Sequence, residues 1–268
     1  MRVTAAIALS VFRESVRDKV FYNLVLFSLL LMAASLLIGQ LTAGQDVKII
    51  KDLGLAATSI FGLFLAVFIG IGLVSKEVER RSIYSLIAKP ITRTQLVLGK
   101  YCGLSLTLAM NIAVMAVALY GVLAYLAWGV PADVKAAWDA PPLDPALMKA
   151  MLLIFAELML VTALALFFST FSTPMLSAAL TFGLYIVGHF SGDLRNFQQV
   201  VDSPAAAALA RGLYWVLPNL AQFDVKADVV HGVRVPLGYM AMTGAYDALY
   251  ITMLLAIASL VFSRRDFK

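Results

Sequence analysis

Six stretches of this chain run for sixteen residues or more with scarcely a charge among them, at about 20–41, 53–74, 101–128, 146–168, 175–190 and 244–262. Their apolar residues are continuous and do not alternate, so the pattern describes helices and not the strands of a barrel. A hydrocarbon layer of about 30 Å takes roughly 20 residues of helix, and inside it every backbone N–H and C=O must be paired within the protein. The chain is 62% hydrophobic and 14% charged over 268 residues, with mean hydropathy +0.89, whereas a soluble domain is nearer half apolar and a quarter charged. The expected fold class is all-α integral membrane: six transmembrane helices in one domain, 1–268.

The segments between the runs add detail. Residues 1–19 carry Arg2, Arg13, Arg17 and Lys19, with Ala5, Leu9, Phe12 and Val16 at three- and four-residue spacing, the pattern of an amphipathic helix lying in the membrane interface. A cleaved signal peptide is not expected, because the apolar run begins only at Val20 and is too long for one. A polar link, 42–52, separates the first two runs. The second run mixes Gly62, Gly70, Gly72, Ala56, Ala57 and Ala66 among bulky residues, and small residues let helix backbones approach closely in lipid. Pro131, Pro141, Pro142 and Pro145 mark a loop, with Asp144-Pro145 suited to cap and open the helix that follows. Residues 169–174 leave room only for a tight turn. In the mixed segment 191–243, the apolar piece 205–217 is bounded by Pro204 and Pro218; it is too short to span and reads as a re-entrant or interfacial helix, with Tyr214 and Trp215 at headgroup level. A second short piece, 220–229, returns toward the surface.

Six spans put both termini on one side. With the termini, the 75–100 island and the 169–174 turn on that side, it holds 13 basic residues over about 55 positions, against 8 over about 86 opposite. The termini and the island are therefore expected in the cytoplasm. The same rule explains the net charge of +5 without nucleic acid. The single cysteine, Cys102, excludes an internal disulfide and a structural zinc site.

The island carries six of the 21 Lys and Arg residues. Glu77 precedes Arg80 and Arg81 by three and four positions, a helical ion-pair spacing, and Val78, Ile83, Leu86 and Ile87 give the piece 76–88 an apolar side. Pro90 ends that helix. Thr92-Arg93-Thr94-Gln95 matches a capping box and starts a new helix running into the third span. Helix, proline corner and capped helix make a rigid elbow over 76–100, where a merely solvated loop would need none of the three.

Three other features invite functional readings. Glu157 falls inside the fourth run, where a carboxylate is costly and marks either a transport path or permease interface, or a protonated, hydrogen-bonded packing residue. His189, Ser191 and Asp193 cluster in sequence, but neighbours in sequence are not a catalytic triad, which needs a base positioned in space against its nucleophile. His189 and His231 lack a clear third metal ligand.

The run from Glu77 to Arg93 followed by Leu98-Gly99-Lys100-Tyr101, the turn Phe168-Ser169-Thr170-Phe171-Ser172 and the end Phe262-Ser263-Arg264-Arg265-Asp266-Phe267 resemble the permeases of ABC-2 type transporters along essentially the whole chain. Many members carry Gly-Thr where Arg81-Ser82 stand here, a departure that bears on the subfamily. The resemblance implies a cytoplasmic coupling helix between spans 2 and 3, seated in a groove of a separate ATPase subunit, and short re-entrant outer helices between spans 5 and 6. It implies coupling roles for Glu77, Glu79, Arg80, Arg81, Ser82, Tyr84 and Arg93, with Pro90 the fixed corner. It also implies two ATPase copies, a second permease copy in a homodimer, and the bacterial inner membrane as location. No Gly-x-x-x-x-Gly-Lys-Ser/Thr phosphate loop is present, so ATP and Mg would be bound by the partner; no cofactor is expected on this chain, which is a transport subunit and not an enzyme. The alternative is a non-transporting subunit passing mechanical work to a periplasmic protein. An intramembrane enzyme and a secondary transporter rank behind both. The apolar spans suit a lipid-like or amphipathic substrate.

Overall fold

Backbone groups that meet no water close on themselves, and each apolar run is helical in the computed structural model of the chain, which describes residues 2–40, 46–79, 92–131, 135, 138, 141–191, 212, 214 and 217–264. Among the described residues the helices are α1 (Arg2–Val16), α2 (Lys19–Gln40), α3 (Asp46–Glu79), α4 (Arg93–Gly129), α5 (Ala146–Ser169), α6 (Pro174–His189), α7 (Lys226–Val230) and α8 (Leu237–Arg264), with a 3-10 turn, Ala221–Phe223, before α7. They include no strand. Five helices, α2, α3, α4, α5 and α8, are long and apolar enough to cross a membrane. The sixth apolar run, α6, has 16 residues and so extends about 24 Å.

The described chain is an all-helical membrane protein with α3 and α5 at its centre. In their apolar stretches 72% and 67% of residues are buried, against 22% in α2 and 28% in α8. α5 packs on α3, α4, α6 and α8. The outer helices turn large apolar side chains away from the bundle, among them Phe27 and Leu37 on α2 and Met242 and Leu249 on α8, as lipid-facing helices do.

Small residues decide how closely the central helices approach. On α3 the positions Gly54, Thr58, Gly62, Ala66 and Gly70 fall every fourth residue, which is one ridge of a helix. A Cβ on Gly54 would lie 2.4 Å from Leu119 of α4, and one on Gly62 2.4 Å from Leu158 of α5. A Cβ added on Gly72, off that ridge, would meet no described atom within 4 Å.

Two boundaries differ from those the sequence suggests. α3 begins at Asp46, seven residues before Leu53, so most of the apparent polar link is helix. Lys51 makes this possible: its side chain is fully buried and its Nζ donates to the Pro141 carbonyl at 2.8 Å, which brings the charge into the joint with the loop before α5. α8 begins at Leu237, seven residues before Gly244. Pro236 stands directly ahead of it, and its carbonyl accepts from the Met240 N–H at 3.3 Å, a place where a missing proline N–H costs nothing. Before α5, the Asp144 carboxylate accepts from the Ala146 N–H at 2.8 Å. The expected helix 205–217 lies almost wholly outside the described residues.

α3 has 34 residues and α4 37, about 50 and 55 Å of helix, so both exceed a 30 Å hydrocarbon layer. Their adjoining ends flank residues 80–91.

Candidate functional site

Two polar regions stand out, one at the elbow and one inside the bundle. At the elbow, the α3 backbone is helical through Glu77 and Glu79, whose side chains, like Arg80, Arg81, Ser82, Tyr84 and Pro90, lie outside the described residues. The structure resumes at Thr92, and here the capping box is formed. The Thr92 side-chain oxygen accepts from the Gln95 N–H at 3.3 Å, and the Thr92 N–H donates to Gln95 Oε1 at 3.2 Å. Both bonds satisfy N–H groups that a helix start otherwise leaves orphaned.

Arg93, the first residue of α4, turns toward the chain's own last helix. Its Nη1 donates to the Phe262 carbonyl at 2.7 Å, and the guanidinium lies 5.9 Å from the centre of the Phe262 ring. Phe262 is two residues from the end of α8, where carbonyls lack intrahelical partners and the helix dipole favours a cation. Further along α4, helix α1 is seated on two glycines. A Cβ on Gly99 would come within 2.7 Å of Ile7, and one on Gly103 within 2.6 Å of the Ala8 carbonyl. Gly99 and Gly103 form a Gly-x-x-x-Gly pair, a sequence signal for close helix contact that the reading above passes over. The start of α4 is thus joined to α1 and to the end of α8.

Inside the bundle, Glu157 of α5 is wholly buried, and neither carboxylate oxygen has a well-aligned hydrogen bond among the described residues. Its Oε1 lies 3.2 Å from His189 Nε2 at the end of α6. The other imidazole nitrogen, Nδ1, is 3.1 Å from the Tyr185 carbonyl, and the Tyr185 and His189 rings are 4.5 Å apart. The Tyr185 hydroxyl reaches Glu157 and Ser59 of α3. Lys226 of α7 approaches from the opposite side, its Nζ 3.5 Å from Ser59 Oγ and 3.4 Å from Asp224. Residues from α3, α5, α6 and the segment around α7 therefore share one polar cluster.

That segment is firmly seated. Leu220, Phe223, Val225, Val229 and Val230 are buried, and Leu220 N–H donates to the Gly188 carbonyl at 3.0 Å. Gly188 is required by the approach: a Cβ there would lie 2.8 Å from Leu220 and 2.9 Å from the Pro218 carbonyl. Ser191 Oγ donates to Asn219 Oδ1 at 2.6 Å, and the Tyr246 hydroxyl accepts from Asn219 N–H at 2.8 Å.

The structure unites Glu157 with His189, which the sequence presents as separate curiosities thirty-two positions apart. It separates His189 from the hydrolase-like grouping. Ser191 bonds Asn219, Asp193 is outside the described residues, and His231 Nδ1 turns to the Ala227 carbonyl at 2.8 Å. No group of three His, Cys, Asp or Glu suited to a metal occurs among the described residues.

Comparison with known families matches residues 5–267 to the ABC-2 family transporter protein. Comparison with curated proteins gives no match.

Proposed function

The chain belongs to the ABC-2 transporter family, and on that premise we propose that it is the membrane-spanning permease of an ATP-driven transporter, coupled through the 76–100 elbow to a separate ABC ATPase subunit. Two such chains pair as a homodimer in the bacterial inner membrane, with six spans each, α6 serving as the fifth, and with both termini in the cytoplasm. Two ATPase copies bind ATP and Mg. When they close, they press on Glu77, Glu79, Arg80, Arg81, Ser82 and Tyr84, and the Pro90 corner keeps the elbow stiff. The substrate is lipid-like or amphipathic, and Glu157 belongs to the polar element on its path.

The observation that carries this reading is the formed Thr92 capping box at the start of a 37-residue helix. A capped, continuous helix transmits a push along its axis, where a frayed end would absorb it. Arg93 then acts from within, tying α4 to α8 through Phe262, so that the push reaches the last span together with the third.

The test is the double substitution Arg80→Glu and Arg81→Glu in the purified complex. We expect the ATPase to dissociate and substrate movement in sealed vesicles to fall at least tenfold, about 1.4 kcal/mol of coupling. Undiminished co-purification and ATP hydrolysis would remove the elbow from the ATPase interface. ATPase coupling that survives in vesicles showing no transport with the unsubstituted chain would point instead to mechanical work on a periplasmic partner.

A further inference from the structure

The geometry of His189 points to a proton-binding site. A backbone carbonyl only accepts, so the contact of Nδ1 with the Tyr185 carbonyl at 3.1 Å fixes a hydrogen on Nδ1. The remaining nitrogen, Nε2, faces Glu157 Oε1 at 3.2 Å. Between that nitrogen and that oxygen one proton must be held, either as imidazolium and carboxylate or as imidazole and carboxylic acid. Without it, a nitrogen lone pair points at an anion in a buried site, which is costly.

We propose that Glu157 and His189 bind one exchangeable proton, and that its release loosens the segment carrying Leu220 and α7 from α3, α5 and α6. Of the two side chains His189 is 22% exposed and Glu157 1%, so the proton departs through His189 Nε2 and leaves neutral imidazole beside carboxylate.

The link to the segment is local. Gly188, adjacent to His189, is in contact with Leu220 and Pro218. Other groups facing the pair are Tyr185 on α6, Ser59 on α3, and Lys226 with its partner Asp224 beside α7. Among the described residues, the charges of Glu157, His189, Lys226 and Asp224 sum to zero with the proton bound; without it they sum to one buried negative charge. Low pH thus favours the seated segment and rising pH the loosened one. This site deepens the functional reading above, where Glu157 lies on the path, but its test needs neither ATPase nor transport.

Val229, fully buried under the segment, is replaced by cysteine in the full-length chain with Cys102→Ala, and the protein is placed in nanodiscs where both faces are open. The rate of labelling by a charged maleimide is measured from pH 5.5 to 8.5 and divided, at each pH, by the rate in the same chain carrying Glu157→Gln, which cancels the thiol's own titration. The expected ratio rises about tenfold across the range, the linkage of one proton per pKa unit of difference between the two states. A ratio flat within twofold overturns the proposal. His189→Gln serves as a second reference, so a poorly recovered Glu157→Gln chain does not leave the question open.

Discussion

Arg93 and Glu157 are both charged residues on long membrane helices, and their surroundings differ in every respect that decides energy. Arg93 stands at the first turn of α4, half-buried, with its charge set against the carbonyl end of α8. Glu157 lies in the middle of α5 with no exposed surface, against one imidazole from another helix. A charge at a helix end adds to stability through dipole and hydrogen bond, and its loss is tolerated. A charge inside is retained only while its partner remains. The elbow end is built from many modest contacts, the interior cluster from one pair on which several elements depend.

The largest effect that would test this contrast is His189→Ala, which leaves Glu157 buried without its imidazole partner. Breaking such a pair from one side costs about 3–5 kcal/mol, read as a fall in the thermal unfolding midpoint in detergent. Replacing both partners with leucine is expected to recover most of the loss. If the single and double variants fall equally, the two residues are not coupled and the contrast fails.

An intermediate effect is expected where α1 meets α4. Gly103→Val drives a side chain into the Ala8 carbonyl and Val11, an overpacking that costs about 1–3 kcal/mol. Gly121 on the same helix faces nothing within 4 Å, and Gly121→Ala should be neutral or gain a few tenths of a kcal/mol from helix propensity. Chemical crosslinking between cysteines placed at Ala8 and Leu104 would show α1 leaving its seat in the valine variant only. Equal behaviour of the two glycines would mean that α1 is not held by close contact.

The smallest effect belongs to the cap. Thr92→Ala removes one side of the box and is expected to cost about 1 kcal/mol, with Gln95→Ala costing no more. Hydrogen exchange of the Thr94 to Val97 amides measures it directly. A loss as large as that of His189→Ala would place the elbow end among the single-pair structures and reverse the comparison.

Much of this was legible in advance, for identifiable reasons. Span-length apolar runs, the Thr92-Gln95 box and the small residues of α3 are local patterns whose meaning depends on neighbours within a turn or two. That α3 extends seven residues ahead of its apolar run was not legible, because the burial of Lys51 against Pro141 depends on a residue ninety positions away. The bond of Arg93 to Phe262 likewise joins residues 169 positions apart. The glycines at 99 and 103 carried a recognisable spacing, but which helix they receive is not written beside them.

The sequence by itself determined that this chain lies in a membrane as helices and that a capping box opens α4, because apolar length and helix capping are properties of contiguous residues. Only the tertiary structure decided that α1 and the end of α8 are fastened to the elbow's helix, and that Glu157 faces His189. Those pairings depend on which helix faces turn toward each other, and a buried charge reveals its role only through a partner that the fold, and not the order of residues, brings within 3.2 Å.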